Sequence, residues 1–255
     1  MAFLKLDIDQ TIYYEMIHGD SNRPFLVFLH EGLGCSAMWK TFARTLCKNT
    51  QCPGLMYDRL GYGQSSPLTQ TRTIDYMNTY ALDELPLLLE ATIPGRPFIL
   101  IGHSDGGTIS LIFAAKKPPL LKAIITEAAH VCVEPETLEG IKTANDAFDN
   151  GKLKGLYKYH GKKTQTIFKA WSDTWLSPWF KSWNIETILP FIETPLLVIQ
   201  GKDDQYGSQK QVDSICVNSS GSALPCLINN CGHSPHSEQT EQVTKIMSEF
   251  IQTLL

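Results

Sequence analysis

The chain has 255 residues, 43% of them hydrophobic and 19% charged, with a formal net charge of -4. This composition excludes a disordered or collagen-like chain and supports one large core. With no long Lys/Arg run there is no electrostatic footprint for nucleic acid or an anionic membrane, so a small-molecule partner is the expectation.

The first residues, "MAFLKLDIDQ", lack the cationic flank and apolar run of a signal peptide, and no stretch reaches the roughly 20 apolar residues of a spanning helix. A cytoplasmic protein is expected. Alternation in "FLKLDI" and "TIYYEMI" predicts strands, and "PFLVFLH" (24–30) predicts a strand buried on both faces. A helix is predicted from about Ser36 to Cys47, then a strand "GLMYD" ending at Asp58, then a long helix from about Ile74 to Glu90.

Next come a strand "PFILIG", a helix "GGTISLIFAAKK" stopped by Pro118 and Pro119, and a strand "LKAIITEA". Further on are a strand "PLLVIQG", a helix "QKQVDSIC", a strand "LPCLIN" and a closing amphipathic helix from about Gln239 to Leu254. Solidly apolar strands alternating with helices predict an α/β class with a mostly parallel sheet covered on both faces.

Between about 130 and 192 no apolar strand appears, and Trp171, Trp175, Trp179 and Trp183 fall there. This segment reads as a helical cap inserted into a single domain spanning 1–255. Pro178 after Ser177 predicts a second helix start with Ser177 as its cap. The tryptophans read first as the small core of that insertion, and Trp171 and Trp175 also as lining of an acyl pocket.

Seven cysteines, with no C-x-x-C pair, predict buried free thiols rather than a disulfide framework or zinc cluster. No metal and no nucleotide cofactor are indicated. His30 and His103 stand in glycine-rich turns without zinc spacing, and "GYGQSS" lacks the last glycine and the following helix of a dinucleotide loop.

The chemistry concentrates where strands end. Gly102-His103-Ser104-Asp105-Gly106 fits G-x-S-x-G between an apolar strand and a helix, the context in which a tight turn presents a serine hydroxyl. A hydroxyl needs a base, and "NNCGHSPH" offers His233, in the turn after a strand. His236 reads as a surface or capping residue. "GKDDQYG" offers Asp203 and Asp204 to orient the imidazole.

The order serine, acid, histidine resembles that of α/β hydrolases over almost the whole chain, and "HEGLG", "GHSDGG", "WNIE", "GKDDQYG" and "CGHSPH" are similar to small bacterial members of that family. The resemblance implies Ser104 as nucleophile, His233 as base, Asp204 rather than Asp203 as the acid, and an oxyanion hole from the backbone N–H of Gly32 and Asp105. Glu31 stands where the family's H-G-x-x-G loop has its first glycine, and "DRLGYGQS" resembles the turn after the next strand.

Asp105 also reads as a helix-start carboxylate favoured by the dipole, or as a group facing the site and selecting positively charged substrates. Glu127 and His130 lie at the same sheet edge, with His130 expected near the substrate; Tyr159 and His160 are weaker candidates. The expected function is hydrolysis of small carboxylic esters, or of thioesters, lactones or amides, through an acyl-enzyme. C–C bond hydrolysis of a diketone stands second, because relatives with that chemistry usually carry another residue at position 105. A binding protein that kept the fold stands third, since such proteins commonly lose a triad member.

Overall fold

A computed structural model describes residues 2–7 and 9–255. Its eight strands are β1 (Ala2–Asp7), β2 (Gln10–Ile17), β3 (Phe25–Leu29), β4 (Gly54–Tyr57), β5 (Phe98–His103), β6 (Leu121–Glu127), β7 (Leu196–Gly201) and β8 (Ala223–Ile228). They form one sheet in the order β1-β2-β4-β3-β5-β6-β7-β8. The β1–β2 and β2–β4 pairs are antiparallel, and every pair from β4 to β8 is parallel.

The helices are α1 (Phe42–Thr50), α2 (Tyr76–Thr79), α3 (Leu85–Thr92), α4 (Asp105–Ala114), α5 (Pro135–Asp149), α6 (Tyr157–His160), α7 (Thr164–Leu176), α8 (Gln209–Asn218), α9 (Pro235–Glu238) and α10 (Thr240–Gln252). Apolar side chains on central strands alternate between the two faces. Leu26, Phe28, Ile99, Ile101, Leu197 and Ile199 pack with α1 and α10, while Val27, Leu29, Leu100 and Val198 pack with α4, α8 and the helices after β6. This alternation explains why β3, β5 and β7 read as unbroken apolar runs.

Three expected elements differ. The helix expected from Ser36 is a 3-10 turn at Ser36–Trp39 followed by α1, because Lys40 takes a positive φ of 49° and breaks the hydrogen-bond ladder. The long helix after position 74 runs from α2 to α3 through a π-helical turn at Tyr80–Glu84. Pro86 follows that turn, and its missing N–H removes one bond of a regular ladder. No helix starts at Pro178: Ser177 Oγ donates to the Thr174 carbonyl at 2.7 Å and closes α7, and turns follow as far as Trp183.

The 68 residues between β6 and β7 hold α5, α6, α7 and 3-10 turns, with one isolated bridge, Cys132 to Asn184. Phe180 is their best buried aromatic, at 0% exposure. Its ring lies 5.0 Å from Trp175, 5.4 Å from Trp183 and 5.9 Å from Tyr76. Aromatic contacts at these spacings join this helical segment to the core on one face of the sheet. Among the described residues, no helix is long and apolar enough to cross a membrane.

Candidate active site

The β5–α4 junction sets the site. Ser104 adopts φ 52°, ψ -116°, a conformation a non-glycine residue takes only when its surroundings impose it. Two glycines allow it. A Cβ on Gly102 would lie 2.2 Å from the Gly106 carbonyl oxygen, and one on Gly106 would lie 2.1 Å from that of Leu29. The Ser104 N–H donates to the Glu127 carbonyl at 2.8 Å, tying the turn to β6.

From this turn the Ser104 hydroxyl faces His233, with Oγ 2.9 Å from Nε2. His233 Nδ1–H faces both oxygens of Asp204, at 2.9 and 3.0 Å. The Tyr206 N–H donates to Asp204 Oδ1 at 2.8 Å. Burial pushes the Asp204 carboxyl up, but the His233 hydrogen bond and charge and the Tyr206 N–H outweigh it and hold its pKa below the ordinary value. Asp203, one residue earlier, is exposed. The structure thus brings Ser104, Asp204 and His233 together from the ends of β5, β7 and β8.

Gly32 and Asp105 lie side by side, since a Cβ on Gly32 would be 3.3 Å from Asp105 Cγ and 2.7 Å from the Trp171 indole. Asp105 opens α4, where its N–H has no acceptor within the helix. Its carboxylate is buried and accepts from the Tyr76 hydroxyl at 3.0 Å, which in turn accepts from Trp175 Nε1–H at 3.2 Å. Trp171 and Trp175 on α7 therefore roof the site, with the Tyr206 ring 6.2 Å from Trp171 and 4.7 Å from His233. Ser104 keeps 8% of its surface under that roof.

His130 lies 5.8 Å from the His233 ring and 5.4 Å from Trp175. Its Nε2–H donates to the Tyr206 carbonyl at 3.0 Å, which leaves Nδ1 a buried bare acceptor. Burial, with His233 beside it, lowers its pKa, so it stays neutral. Its contact is with the loop that carries Asp204.

His236 differs from its expected surface or capping role. It is 7% exposed, in the single turn of α9, with Nδ1 2.5 Å from Glu127 Oε2 and its ring 4.5 Å from Trp39. Glu127 is fully buried and needs a donor, which explains the inversion. His160, a weak candidate, is also buried. It accepts from the Gly63 N–H at 3.0 Å and donates to the Leu33 carbonyl at 2.8 Å, bridging the loops after β3 and β4. Tyr159 is half-buried, with Lys158 Nζ 5.7 Å from its ring centroid.

His30 is neutral and structural: its Nδ1–H donates to the Glu31 carbonyl at 2.8 Å and its Nε2 accepts from the Arg59 N–H at 3.1 Å. Burial and the Arg59 charge hold its pKa well below the usual value. Among the described residues no three His, Cys, Asp or Glu side chains are placed to hold a metal ion, and all seven cysteines are free thiols.

Sequence reasoning missed Tyr76, Tyr206 and His103. Tyr206 stands two residues after Asp204, a spacing that suits a loop-closing N–H to the carboxylate. Tyr76 carries no local signal, because only the fold brings it to Asp105.

Known proteins agree with this architecture. Proline iminopeptidase of Saccharolobus solfataricus is 23% identical over 280 aligned positions, covering 94% of this chain and 89% of the relative. The human serine hydrolase BPHL is 27% identical over 207, covering 77% and 68%. Among solved structures, MGS-M2, an α/β hydrolase enzyme from a Medee basin deep-sea metagenome library, superposes with TM-score 0.80 at 21% identity, covering 98% of this chain and 97% of its own. The family model described as alpha/beta hydrolase fold matches residues 24–169. With that match over more than half its length, the chain belongs to the α/β hydrolase fold family.

Proposed function

We propose that the protein is a serine hydrolase that cleaves small carboxylic esters, a class extending to thioesters, lactones and amides, through an acyl-enzyme on Ser104. Hydrolase relatives support the general activity. The observation that carries the specific reading is the unbroken chain from Ser104 Oγ through His233 to Asp204, with links of 2.9 Å, at a serine in strained geometry.

Ser104 Oγ attacks the carbonyl carbon while its proton passes to His233 Nε2. Asp204 stays ionised, holds the imidazole with Nδ1 protonated and stabilises the imidazolium that forms. The carbonyl oxygen takes up negative charge at the N–H groups of Gly32 and Asp105, each contributing about 3 kcal/mol to the transition state. Collapse of the tetrahedral intermediate expels the alcohol, which takes the proton from His233. Water then repeats the sequence on the acyl-enzyme. His130, being neutral, adds no second positive charge to oppose the imidazolium.

The low exposure of Ser104 beneath Trp171 and Trp175 supports a small acyl group, and the helical segment from about 130 to 192 is read as the cap that holds this roof. Intact-mass detection of fluorophosphonate labelling tests the triad. One adduct is expected on the unmodified protein and none on Ser104→Ala or His233→Ala. A p-nitrophenyl ester series beside matched anilides tests the substrate class, with short esters expected to be best. No adduct on the unmodified protein would put the binding-protein reading first, and faster anilide cleavage would overturn the ester assignment.

A further inference from the structure

Arg72 is an anomaly of charge. It lies in the irregular segment 67–73 and keeps only 8% of its surface, and among the described residues no carboxylate lies within ion-pair distance of its guanidinium. Of its five N–H donors, one from Nη2 meets the Tyr62 hydroxyl and one from Nη1 reaches the Ala170 carbonyl at 3.4 Å. Its Nε has no partner. The Tyr76 ring lies 4.4 Å from Cζ, and that cation–π contact compensates for only part of the lost hydration. A buried cation normally has a counter-charge.

A second buried arginine lies behind it. Arg59 is 0% exposed, donates to the His30 and Glu31 carbonyls and also has an unpartnered Nε. Both guanidinium groups face the Tyr62 ring, at 4.9 and 5.9 Å. Asp105, which accepts from the Tyr76 hydroxyl, is buried near both, and Glu84 lies beside Arg59, so among the described residues no carboxyl group is dedicated to Arg72.

Arg72 lines a cavity of about 380 Å³ whose walls include Leu6, Leu60, Leu68 and Leu87. This is within the size range of small-molecule sites, roughly 300 to 1,000 Å³. Leu87 is 57% exposed and marks the mouth. Glu84 also lines the cavity and is 5% exposed, with an unpartnered Oε1. Burial raises its pKa to about 8, so at neutral pH it is a carboxylic acid able to donate rather than repel. Ser104, Asp204 and His233 do not line this cavity.

We propose that this cavity is a second ligand site, distinct from the Ser104 site, that takes a carboxylate-headed amphiphile, with the head on Arg72 and the hydrocarbon tail along the leucine walls. A planar carboxylate accepts two parallel N–H bonds from a guanidinium and leaves one cation compensated by one anion. The walls favour a hydrocarbon tail, each further buried methylene tightening binding about fourfold. A phosphate dianion fits less well, because Asp83 also lines the cavity and would repel its second charge.

The test is a titration of the full chain with octanoate, octan-1-ol and inorganic phosphate, followed by leucine methyl and tryptophan indole resonances. Octanoate is expected to bind at one equivalent and to shift the methyls of Leu60, Leu68 and Leu87, with octan-1-ol weaker by about tenfold or more, the worth of a charged hydrogen bond. Arg72→Gln should weaken octanoate by a similar factor. Should that variant fail to fold, Thr71→Asp places a negative charge at an exposed polar position of the lining next to Arg72 and should weaken octanoate several-fold more than octan-1-ol. Equal affinity for acid and alcohol, tighter binding of phosphate, no binding at millimolar octanoate, or unchanged affinity in the variants would overturn the proposal. Shifts confined to Trp171 and Trp175 would place the acid in the Ser104 site and overturn it too, leaving the triad reading intact.

Discussion

Glu84→Gln should flatten the fall in stability expected of the protein between mildly acidic and mildly alkaline pH. Glu84 sits in the π turn between α2 and α3, with Oε2 accepting from the Leu60 N–H at 2.9 Å and Oε1 unpartnered. Burial raises its pKa from 4.5 to about 8, against the smaller opposing pull of that N–H and of Arg59. A folded-state pKa above the unfolded one means that folding retains a proton. The stability contribution is therefore complete below the unfolded value of 4.5 and is lost as pH rises through about 8. At about 1.4 kcal/mol per pKa unit, the wild type should lose about 3 kcal/mol from this group between about pH 5 and about pH 8. Glutamine stays neutral and its amide oxygen can accept from Leu60, so the variant should show a slope flatter by that amount. Urea unfolding of both proteins at both pH values gives the difference directly, with the m-value checking that the unfolded state is unchanged. Parallel stability curves would refute the reasoning and show that Glu84 is ionised in the folded protein.

Three further outcomes follow from the geometry. Gly106→Ala places a Cβ 2.1 Å from the Leu29 carbonyl oxygen and 2.8 Å from that of His30, so α4 must shift at its start; fluorophosphonate labelling of Ser104 should be lost in protein that remains folded by circular dichroism. Phe180→Ala empties a fully buried aromatic site, and denaturant unfolding should show a loss of about 3 to 5 kcal/mol. Asp204→Asn keeps the shape but favours the wrong His233 tautomer, and kcat should fall about 10⁴-fold with little change in KM.

The sequence makes the parallel sheet legible because β3, β5 and β7 are buried on both faces and have no polar alternation to confuse them. Ser104, Asp204 and His233 are legible for a related reason: each stands at a strand end, and the turn chemistry there is local. What stays hidden depends on distant contacts. His236 looks like a helix-start residue until Glu127, 109 positions earlier, is found at its side. Among the tryptophans, Ser177–Pro178 reads as a second helix start, yet α7 stops at Leu176 without a new helix, and Trp183 returns to Trp175 at 5.5 Å through turns that no periodicity encodes.

Glu31, the departure from the expected H-G-x-x-G pattern, shows how a local irregularity serves the wider site. A Cβ on Gly34 would lie 2.1 Å from Glu31 Oε2, so the glycine retained at position 34 makes room for the carboxylate that replaced its neighbour. That oxygen lies 3.4 Å from His103 Nδ1, while His103 Nε2–H donates to the His233 carbonyl at 2.7 Å. Nδ1 has no hydrogen-bond partner, but the Glu31 carboxylate at ion-pair distance favours the imidazolium. Burial would lower the His103 pKa, but Glu31 raises it to about 9, and His103 in turn holds the Glu31 carboxyl well below the carboxylate range. The loop bearing Gly32, the strand end before Ser104 and the loop bearing His233 are thus tied together through His103. A side chain at position 31 therefore bears on where the His233 backbone sits.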